Sequence, residues 1–304
     1  MSTAGIERRS PNRPKFVVNW RKSVEPQTAE AARTRQPGEM HYIDVWLASP
    51  ERLLRAHSCL RLLTGEDWAS FDRITDSSGR QNAMATRILL RLGLSQAVDR
   101  RIAARDWTFK TGAHGKPMLA DALPDIRFSV SHTDQLAAVA ISPNLEVGVD
   151  VESVDQNVSE KVVAGFSHPR EKSELGELLP RQKVREFIRL WTFKEALAKL
   201  LGTGMSLDFD AVQFTLDPAQ LASAGEPPAS AAKQNIGAHT HFESIYVSVA
   251  HVLFHVSLAV EKPKDRWLPT EVRVITLAEP GRTGLSPSTP APPAPRSDAE
   301  ARHG

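Results

Sequence analysis

Two carboxylates stand two residues apart in the stretch VGVDVE, residues 147–152. If this stretch is a β-strand, its side chains alternate between faces, so Asp150 and Glu152 share one face while the valines share the other. Two anions at this spacing repel each other unless water or a cation lies between them, so the pair is a candidate site for a hard metal ion. The alternative is an ordinary strand with one solvent-exposed face, where polar residues need no function.

A second group of candidates lies in the block 184–204, VREFIRLWTFKEALAKLLGTG. Its apolar spacing predicts a helix that is stopped by the glycines at its end. Trp191, Glu195 and Lys199 recur every fourth residue on a face beside the apolar stripe. This row offers an aromatic ring, a carboxylate and an ammonium in line, but Glu followed by Lys at this spacing is also an ordinary surface ion pair.

Two shorter motifs come earlier in the chain. In FSVSHTD, residues 128–134, strand alternation places Ser129, Ser131 and Thr133 on one face, with His132 just past the apolar Phe128 and Val130. In HGKPML, residues 114–119, a glycine and a proline bracket Lys116 in a turn that could hold its ammonium toward an anion. Each motif alone is compatible with an ordinary exposed turn or strand end.

The order of these motifs is more specific than any one of them. GKP, SVSH, VGVDVE and WTFKEALAKLLGTG follow one another with sensible gaps, and this order closely resembles the 4′-phosphopantetheinyl transferases of the two-lobed, surfactin-synthetase-activating type. The motif-bearing resemblance spans roughly 110–210 and extends more weakly to about 41–265. It implies transfer of 4′-phosphopantetheine from coenzyme A to a serine of an apo acyl or peptidyl carrier protein, with release of adenosine 3′,5′-bisphosphate.

The resemblance also implies roles for the candidate residues. It makes Asp150, Glu152 and Glu195 ligands of Mg²⁺, with Mn²⁺ as an alternative ion. It makes Glu195 the candidate general base, directly or through a water, and Lys199 the cation that neutralises charge on the pyrophosphate. Trp191 is expected to fix the helix by packing.

Lys116, Ser131 and His132 match positions that contact the phosphates of coenzyme A in that family. Arg73 and Arg80 are candidates for further phosphate or adenosine contacts because of their place in the chain. For the two arginines, in FDRITDSSGR before a predicted helix at 83–94, solvated charges on a helix are an equal alternative. The sequence departs from the family pattern at Ser129, which stands where Asn is usual and puts one local hydrogen bond in doubt.

The fold expected from the resemblance is α+β, with two similar lobes related by pseudo-twofold symmetry and the active site in the cleft between them. The boundaries expected are an N-terminal lobe at 41–140 and a C-terminal lobe at 141–268 that carries the metal ligands. The tails at 1–40 and 269–304 are Arg/Pro-rich and Pro/Ala-rich and are expected to be disordered. The insertion at 217–238 is expected to be a surface loop.

Composition excludes several classes of function. The net charge of the 304 residues is only +2, which does not favour nucleic acid as a partner, and the one cysteine, Cys59, allows no internal disulfide and suits a reducing cytoplasm. The longest uncharged stretch, 244–260, is shorter than a bilayer span and suggests paired strands. No apolar segment follows the basic N-terminus, so no secretory signal is expected. A cytoplasmic monomer with no membrane partner is therefore predicted.

Two other functions stay open from the residues. A magnesium-dependent phosphohydrolase acting on coenzyme A or a related diphosphate would use the same acids with water as nucleophile. A non-catalytic module that binds carrier proteins is the other, although retention of all three acids and Lys199 speaks against it. The sequence does not say whether the carrier belongs to fatty-acid, polyketide or nonribosomal-peptide biosynthesis.

Overall fold

The structure, a computed structural model, describes residues 41–112, 115–120, 126–143, 145–216, 221–223, 240–261 and 270–277. The tail predicted at 1–40 lies outside these residues, as do residues 278–304 of the tail predicted at 269–304 and most of the insertion at 217–238. Among the described residues, no helix is both long enough and apolar enough to cross a membrane.

The first half of the chain is a sheet with one long helix against it. Its elements are β1 (His41–Ala48), α1 (Pro50–Arg55), α2 (His57–Leu60), α3 (Gly65–Phe71), α4 (Ser77–Ala97), β2 (Phe109–Thr111), β3 (Pro117–Leu119), β4 (Ile126–His132) and β5 (Ala137–Pro143). β5 lies antiparallel between β1 and β4, and β2 and β3 form a separate small hairpin. The helix predicted at 83–94 is the middle of α4.

The second half repeats this plan. Its elements are β6 (Val147–Ser153), α5 (Glu160–Phe166), α6 (Pro169–Gly176), α7 (Pro180–Leu201), β7 (Gln213–Phe214), β8 (Leu221–Ser223), β9 (Thr240–Val249) and β10 (Val252–Glu261), with a 3₁₀ turn at Gly204–Ser206. β10 lies antiparallel between β6 and β9, so the order β6-β10-β9 repeats the order β1-β5-β4. In each half a strand is followed by short helices, one long helix, a small two-stranded sheet and two antiparallel strands that complete the main sheet. This repeat is the two-lobed α+β organisation that the family resemblance predicted.

The two sheets pack against each other, and each carries its long helix on its other face. The core between the sheets is formed by alternate residues of the strands, chiefly Ile43, Val45, Leu47, Val147, Val149, Val151, Val256, Leu258 and Val260. A second core lies between α4 and the first sheet, and a third lies between α7 and the second sheet. Because strand side chains alternate, each strand that is apolar toward the other sheet presents its remaining residues to its own helix.

Helix α7 begins and ends as its sequence indicates. Pro180 is its first residue, a position where a helix needs no backbone N–H. The helix therefore begins four residues before the predicted block at 184–204. It ends at Gly202, whose φ of 69° lies in the left-handed region that glycine adopts without strain. Of the apolar stripe predicted for this helix, Leu190, Phe193, Leu197 and Leu200 are buried in the core of the second lobe, and Leu201 is partly buried against it.

Three sequence predictions are wrong or incomplete. The tail expected at 269–304 is not wholly irregular, because Thr270–Thr276 forms a further strand, β11, which pairs in parallel with β1 at the edge of the first sheet. Strand β5 runs across the expected boundary between 140 and 141. Residues 221–223, inside the expected surface loop, pair with β7.

Candidate active site

Strand β6 presents its two acids to helix α7. Val147, Val149 and Val151 are buried against the first sheet, so Asp150 and Glu152 point the other way, as alternation predicted. This face is covered by the helix and is not the open, wet face that was the alternative: the Asp150 side chain is only 5% exposed. A buried carboxylate needs compensation by a cation or by hydrogen bonds.

Gly148 allows the helix to come this close. A Cβ atom built on Gly148 would lie 1.9 Å from the carbonyl oxygen of Ala196 and 2.6 Å from the backbone nitrogen of Leu200. Only glycine therefore fits at this position while α7 keeps its place. The close approach brings Glu195 and Lys199 over the acids of β6.

The ammonium of Lys199 and the hydroxyl of Ser131 converge on one oxygen of Asp150. Lys199 Nζ lies 2.6 Å from Asp150 Oδ1, Ser131 Oγ donates to the same oxygen at 2.7 Å, and Lys199 Nζ also donates to Ser131 Oγ at 2.8 Å. Ser131 comes from β4 in the first lobe, whereas Asp150 and Lys199 belong to the second. The site is thus assembled across the junction of the lobes.

The negative charge of Asp150 acts on both Glu152 and Glu195. Burial raises the pKa of Glu152 to about 7, and the negative charge of Asp150 acts in the same direction, while hydrogen bonds from Gln156 and Trp191 oppose it. Burial and Asp150 also raise the pKa of Glu195, and the Lys199 ammonium opposes this. Mutual repulsion of this kind is relieved by a bound cation.

The donor set fits a hard cation such as Mg²⁺, which prefers carboxylate oxygens. The buried Oδ2 of Asp150 has no hydrogen-bond partner among the described residues, so this oxygen is available to a cation. Among those same described residues, however, no three Asp, Glu, His or Cys side chains are close enough together to enclose an ion as they stand. Ion binding would therefore require side-chain movement, including that of Lys199.

A cleft of about 230 Å³ opens beside these residues. Its lining includes Glu195 and Lys199 from α7, Phe128 and Val130 from β4, and Lys116 from the loop before β3. This cleft lies between the two lobes, where the family resemblance placed the active site. Its walls combine apolar side chains with the charged groups of Lys116, Glu195 and Lys199, a mixture common in ligand sites.

Lys116 is tied to the end of α7. Its Nζ donates to the carbonyl oxygens of Lys199 at 2.8 Å and Leu200 at 3.4 Å, which a helix leaves unpaired at its C-terminus. Burial lowers its pKa. The structure therefore places Lys116 at the cleft, in contact with the backbone of Lys199.

The predicted phosphate contacts in the first lobe lie at the end of β4 and at the start of α4. His132 is at the end of β4 and has part of its surface open to solvent. The protein around its ring lowers its pKa by desolvation, and the Lys199 ammonium lowers it further. Asp134, in the turn after β4, accepts hydrogen bonds from the side chains of Ser78 at 2.6 Å and Asn82 at 2.9 Å, which ties the start of α4 to the end of β4.

The two arginines of that region differ in their contacts. Arg80 lies between Ser78 and Asn82 on α4 and donates twice to the carbonyl of Ile74, at 2.9 and 3.2 Å, whereas Arg73 is exposed on the preceding turn. The start of α4 and the end of β4 therefore carry Arg80 and His132 on neighbouring elements. Solvated charge, the alternative considered for both arginines, describes Arg73 better than Arg80.

Two further expectations can be compared with the structure. Ser129, at the position where the family usually has Asn, accepts a hydrogen bond from the backbone N–H of Val149 at 3.0 Å, so a link between β4 and β6 is made with serine. Trp191 packs among aromatic rings as expected, stacked on Phe209 at 5.6 Å and edge-on to Phe166 at 4.6 Å.

A buried polar cluster beside the site was missed by the sequence reasoning. Thr192 Oγ1 lies 2.7 Å from His255 Nδ1 and 2.8 Å from Ser257 Oγ, between α7 and β10. In the sheet register His255 is opposite Glu152 and Ser257 is opposite Asp150. Burial lowers the pKa of His255 to about 3, so its ring is neutral near pH 7. The serine and histidine of HVLFHVSLAV alternate toward one face, which was the available signal.

Comparison with known proteins gives consistent results. Residues 146–251 match a family model described as the 4′-phosphopantetheinyl transferase superfamily, and residues 44–144 match one described as 4′-phosphopantetheinyl transferase, N-terminal. Together these matches cover more than half of the chain, one for each lobe.

Individual relatives carry the same description. The chain is 29% identical over 155 residues to 4′-phosphopantetheinyl transferase gsp of Aneurinibacillus migulanus, covering 51% of this chain and 62% of that protein. It is 28% identical over 194 residues to 4′-phosphopantetheinyl transferase HetI of Nostoc sp., covering 63% and 80%. It is 24% identical over 187 residues to L-aminoadipate-semialdehyde dehydrogenase-phosphopantetheinyl transferase of Homo sapiens, covering 58% and 59%. The chain thus spans about three fifths of the Aneurinibacillus and human relatives.

Proposed function

Because the chain belongs to the 4′-phosphopantetheinyl transferase superfamily, we propose that it transfers the 4′-phosphopantetheine group from coenzyme A to a serine hydroxyl of an apo carrier protein. In this reaction a bond forms between the serine oxygen and the β-phosphorus, and the bond from that phosphorus to adenosine 3′,5′-bisphosphate breaks. The observation that carries the proposal is the convergence of Lys199, Ser131 and Asp150 beside Glu152 and Glu195, at a cleft between the lobes.

Asp150, Glu152 and Glu195 are the proposed ligands of a magnesium ion. The ion, when bound, would neutralise the coenzyme A pyrophosphate, which bare carboxylates would otherwise repel. Asp150 Oδ2 has no hydrogen-bond partner among the described residues, and burial together with the charge of Asp150 raises the pKa values of Glu152 and Glu195. These observations support the assignment, because a bound cation would give Oδ2 a partner and stabilise the ionised form of both glutamates. Mn²⁺ has the same preference for oxygen ligands and could replace Mg²⁺.

Glu195 is the proposed general base. A carboxylate accepts a proton from a hydroxyl more readily when its own pKa is closer to the working pH, and burial raises the pKa of Glu195 from its usual value. Its position at the cleft, one helical turn before Lys199, supports direct or water-mediated access to an incoming serine.

Lys199 is the proposed cation for the transferred group. Its side chain is 27% exposed and lines the cleft, so a diphosphate bound there would lie close to its ammonium. A positive charge fixed beside the phosphorus stabilises the negative charge that develops during transfer.

The remaining contacts to coenzyme A are proposed from the first lobe and the lobe junction. Lys116, Ser131, His132, Arg80 and Arg73 supply them. A lowered pKa leaves His132 neutral near pH 7 in the free protein, and a nearby phosphate would raise it again. The carrier protein would bind beside the cleft, with one copy of this chain sufficient for the reaction.

The deciding experiment is intact-protein mass spectrometry of an apo acyl or peptidyl carrier protein incubated with the full chain, coenzyme A and Mg²⁺. We expect the carrier to gain one phosphopantetheine, and the gain to disappear with EDTA. Asp150→Ala should abolish the gain and leave thermal unfolding nearly unchanged, whereas Glu174→Ala, at an exposed acid on α6, should behave as the parent protein.

The other outcomes identify the alternatives. Coenzyme A consumed without carrier modification would indicate a phosphohydrolase. No modification of any carrier class, with coenzyme A intact and still bound, would indicate a binding module. Full activity of Asp150→Ala would remove this residue from the site.

A further inference from the structure

Asp150 already has a cation, and it comes from the same chain. Lys199 Nζ lies 2.6 Å from Asp150 Oδ1, and the carboxylate is 95% buried. Ser131 holds this pair from the other lobe, because its hydroxyl donates to Asp150 Oδ1 and accepts from Lys199 Nζ. The ammonium therefore sits on the same carboxylate that would bind the metal ion.

An ammonium and a divalent ion cannot both lie against one small carboxylate without strong repulsion. The repulsion is large in a partly buried site because the effective dielectric constant there is lower than that of water. Asp150 offers its two oxygens to any cation, yet one of them is engaged by Lys199, and no three acids close on an ion among the described residues. The free protein is thus arranged around its internal cation.

We propose that Lys199 is the counter-ion of Asp150 in the free protein, and that it competes with a divalent metal ion for this carboxylate until a diphosphate draws its ammonium away. The inference rests on the proposed function, since it takes the metal and the diphosphate from it. Metal ion and diphosphate then bind cooperatively, each tightening the other.

The surroundings of Lys199 allow its ammonium to move while its backbone stays in place. Lys116 holds the carbonyl oxygens of Lys199 and Leu200, and Gly148 lies directly under this turn of α7. The side chain itself is 27% exposed at the edge of the cleft, and its four-carbon stem is flexible. A diphosphate in the cleft would offer this ammonium a second anion, which it could reach by rotation of the Lys199 side chain alone.

The test is isothermal titration of the full chain with Mg²⁺, without a carrier protein and with or without coenzyme A. For the parent protein we expect weak binding of Mg²⁺ alone and binding at least about tenfold tighter with coenzyme A present. Lys199→Met should bind Mg²⁺ alone about tenfold more tightly than the parent, because the competing charge is gone, and coenzyme A should add little. Lys183 is on the same helix, α7, and forms an ion pair with Glu160 of α5 at the surface. Lys183→Met should therefore bind Mg²⁺ as tightly as the parent.

Two results separate failure of this inference from failure of the proposed function. Equal affinity of the parent and Lys199→Met for Mg²⁺ alone would overturn the competition and leave the proposed transfer standing. No Mg²⁺ binding by the parent even with coenzyme A would overturn the proposed function itself.

Lys199→Met leaves Asp150 buried without a cation, which is expected to lower stability, so Ser131→Ala serves as a second variant. This variant keeps the charge pair but removes one hydrogen bond from Asp150 Oδ1 and one from the Lys199 ammonium. Ser131→Ala should therefore bind Mg²⁺ alone more tightly than the parent does and less tightly than Lys199→Met does.

Thermal unfolding gives an independent measurement. Mg²⁺ alone should raise the melting temperature of Lys199→Met more than that of the parent. An equal rise in both proteins would contradict the competition.

Discussion

Glu152 is a carboxyl group whose protonation depends on its burial and on its neighbour. Its pKa is raised to about 7, mainly by burial and then by the charge of Asp150, while the unfolded chain has an ordinary value near 4.5. Between these two values the folded protein keeps a proton that the unfolded chain releases. The contribution of Glu152 to stability is therefore fully present below pH 4.5 and is lost as the pH rises through about 7.

This sign gives a prediction for the metal-free protein. In EDTA, raising the pH from 5 to 7.5 should lower the free energy of unfolding less for Glu152→Gln than for the parent. The expected difference is about 1–2 kcal/mol after allowance for the partial exposure of the side chain. Urea denaturation at the two pH values measures the difference, and Glu174→Gln on the surface of α6 is the control. Parallel curves for the parent and Glu152→Gln would mean that Glu152 has an ordinary pKa.

Single residues also mark how far the sequence could predict the site. The shared face of Asp150 and Glu152 follows from strand alternation, and the row of Glu195 and Lys199 follows from helical spacing, because both depend on local geometry alone. The bond from Ser131 to Asp150 could not be predicted in this way, since it joins two lobes and depends on how their sheets pack. Motif order suggested that these residues belong to one site, but the contact of Lys199 with Asp150 emerges only from the fold.

At the scale of elements, the two long helices are anchored by the same device. Arg91 of α4 forms a buried ion pair at 2.6 Å with Asp67 of α3, and Lys194 of α7 forms one at 2.6 Å with Glu171 of α6. Each of these acids is also the third residue of its short helix and closes a capping box there. Lys194 is thus a structural residue although it precedes Glu195 in the chain, because neighbouring helical positions face different directions.

The contact between β6 and α7 gives a prediction of its own. Gly148→Ala would place a methyl group against the backbone of Ala196 and Leu200, so the helix must shift. We expect a loss of about 1–3 kcal/mol in stability and about a 100-fold lower transfer rate, because Glu195 and Lys199 move with the helix. Denaturant unfolding and the carrier-modification assay measure the two effects.

Gly165→Ala is the matched control for that substitution. A Cβ atom at Gly165, on α5, would meet no atom within 4 Å, so this variant should keep both the stability and the rate. If Gly148→Ala retained the rate of the control, the close approach of helix and strand would not be needed for transfer.

At the scale of the whole molecule, the repeated plan of strands and helices could be expected from the family resemblance, but the path of the chain after β10 could not. Strand β11 returns from the second lobe to the first and pairs with β1. The stretch TEVRVIT alternates as a strand should, yet it adjoins the Pro/Ala-rich tail, and composition alone favoured irregular structure there. Pairing with an edge some 230 residues away is a tertiary event that local pattern does not reveal.

The returning strand brings a cation to a buried acid, which leads to the last prediction. Arg273 of β11 donates to both oxygens of Asp44, at 2.6 and 2.8 Å, and Asp44 is only 7% exposed. Arg273→Met would leave this carboxylate buried and unpaired, and we expect a loss of about 3 kcal/mol in the free energy of unfolding.

Arg55→Met is the control, because it breaks an exposed ion pair with Glu51 on α1. It should change the free energy of unfolding by less than about 0.5 kcal/mol. Adding Asp44→Asn to Arg273→Met should recover part of the loss, since the uncompensated charge is removed. Denaturant unfolding of the parent, the two single variants and the double variant measures these differences. Equal stability of Arg273→Met and Arg55→Met would mean that the ion pair between β11 and β1 does not stabilise the first lobe.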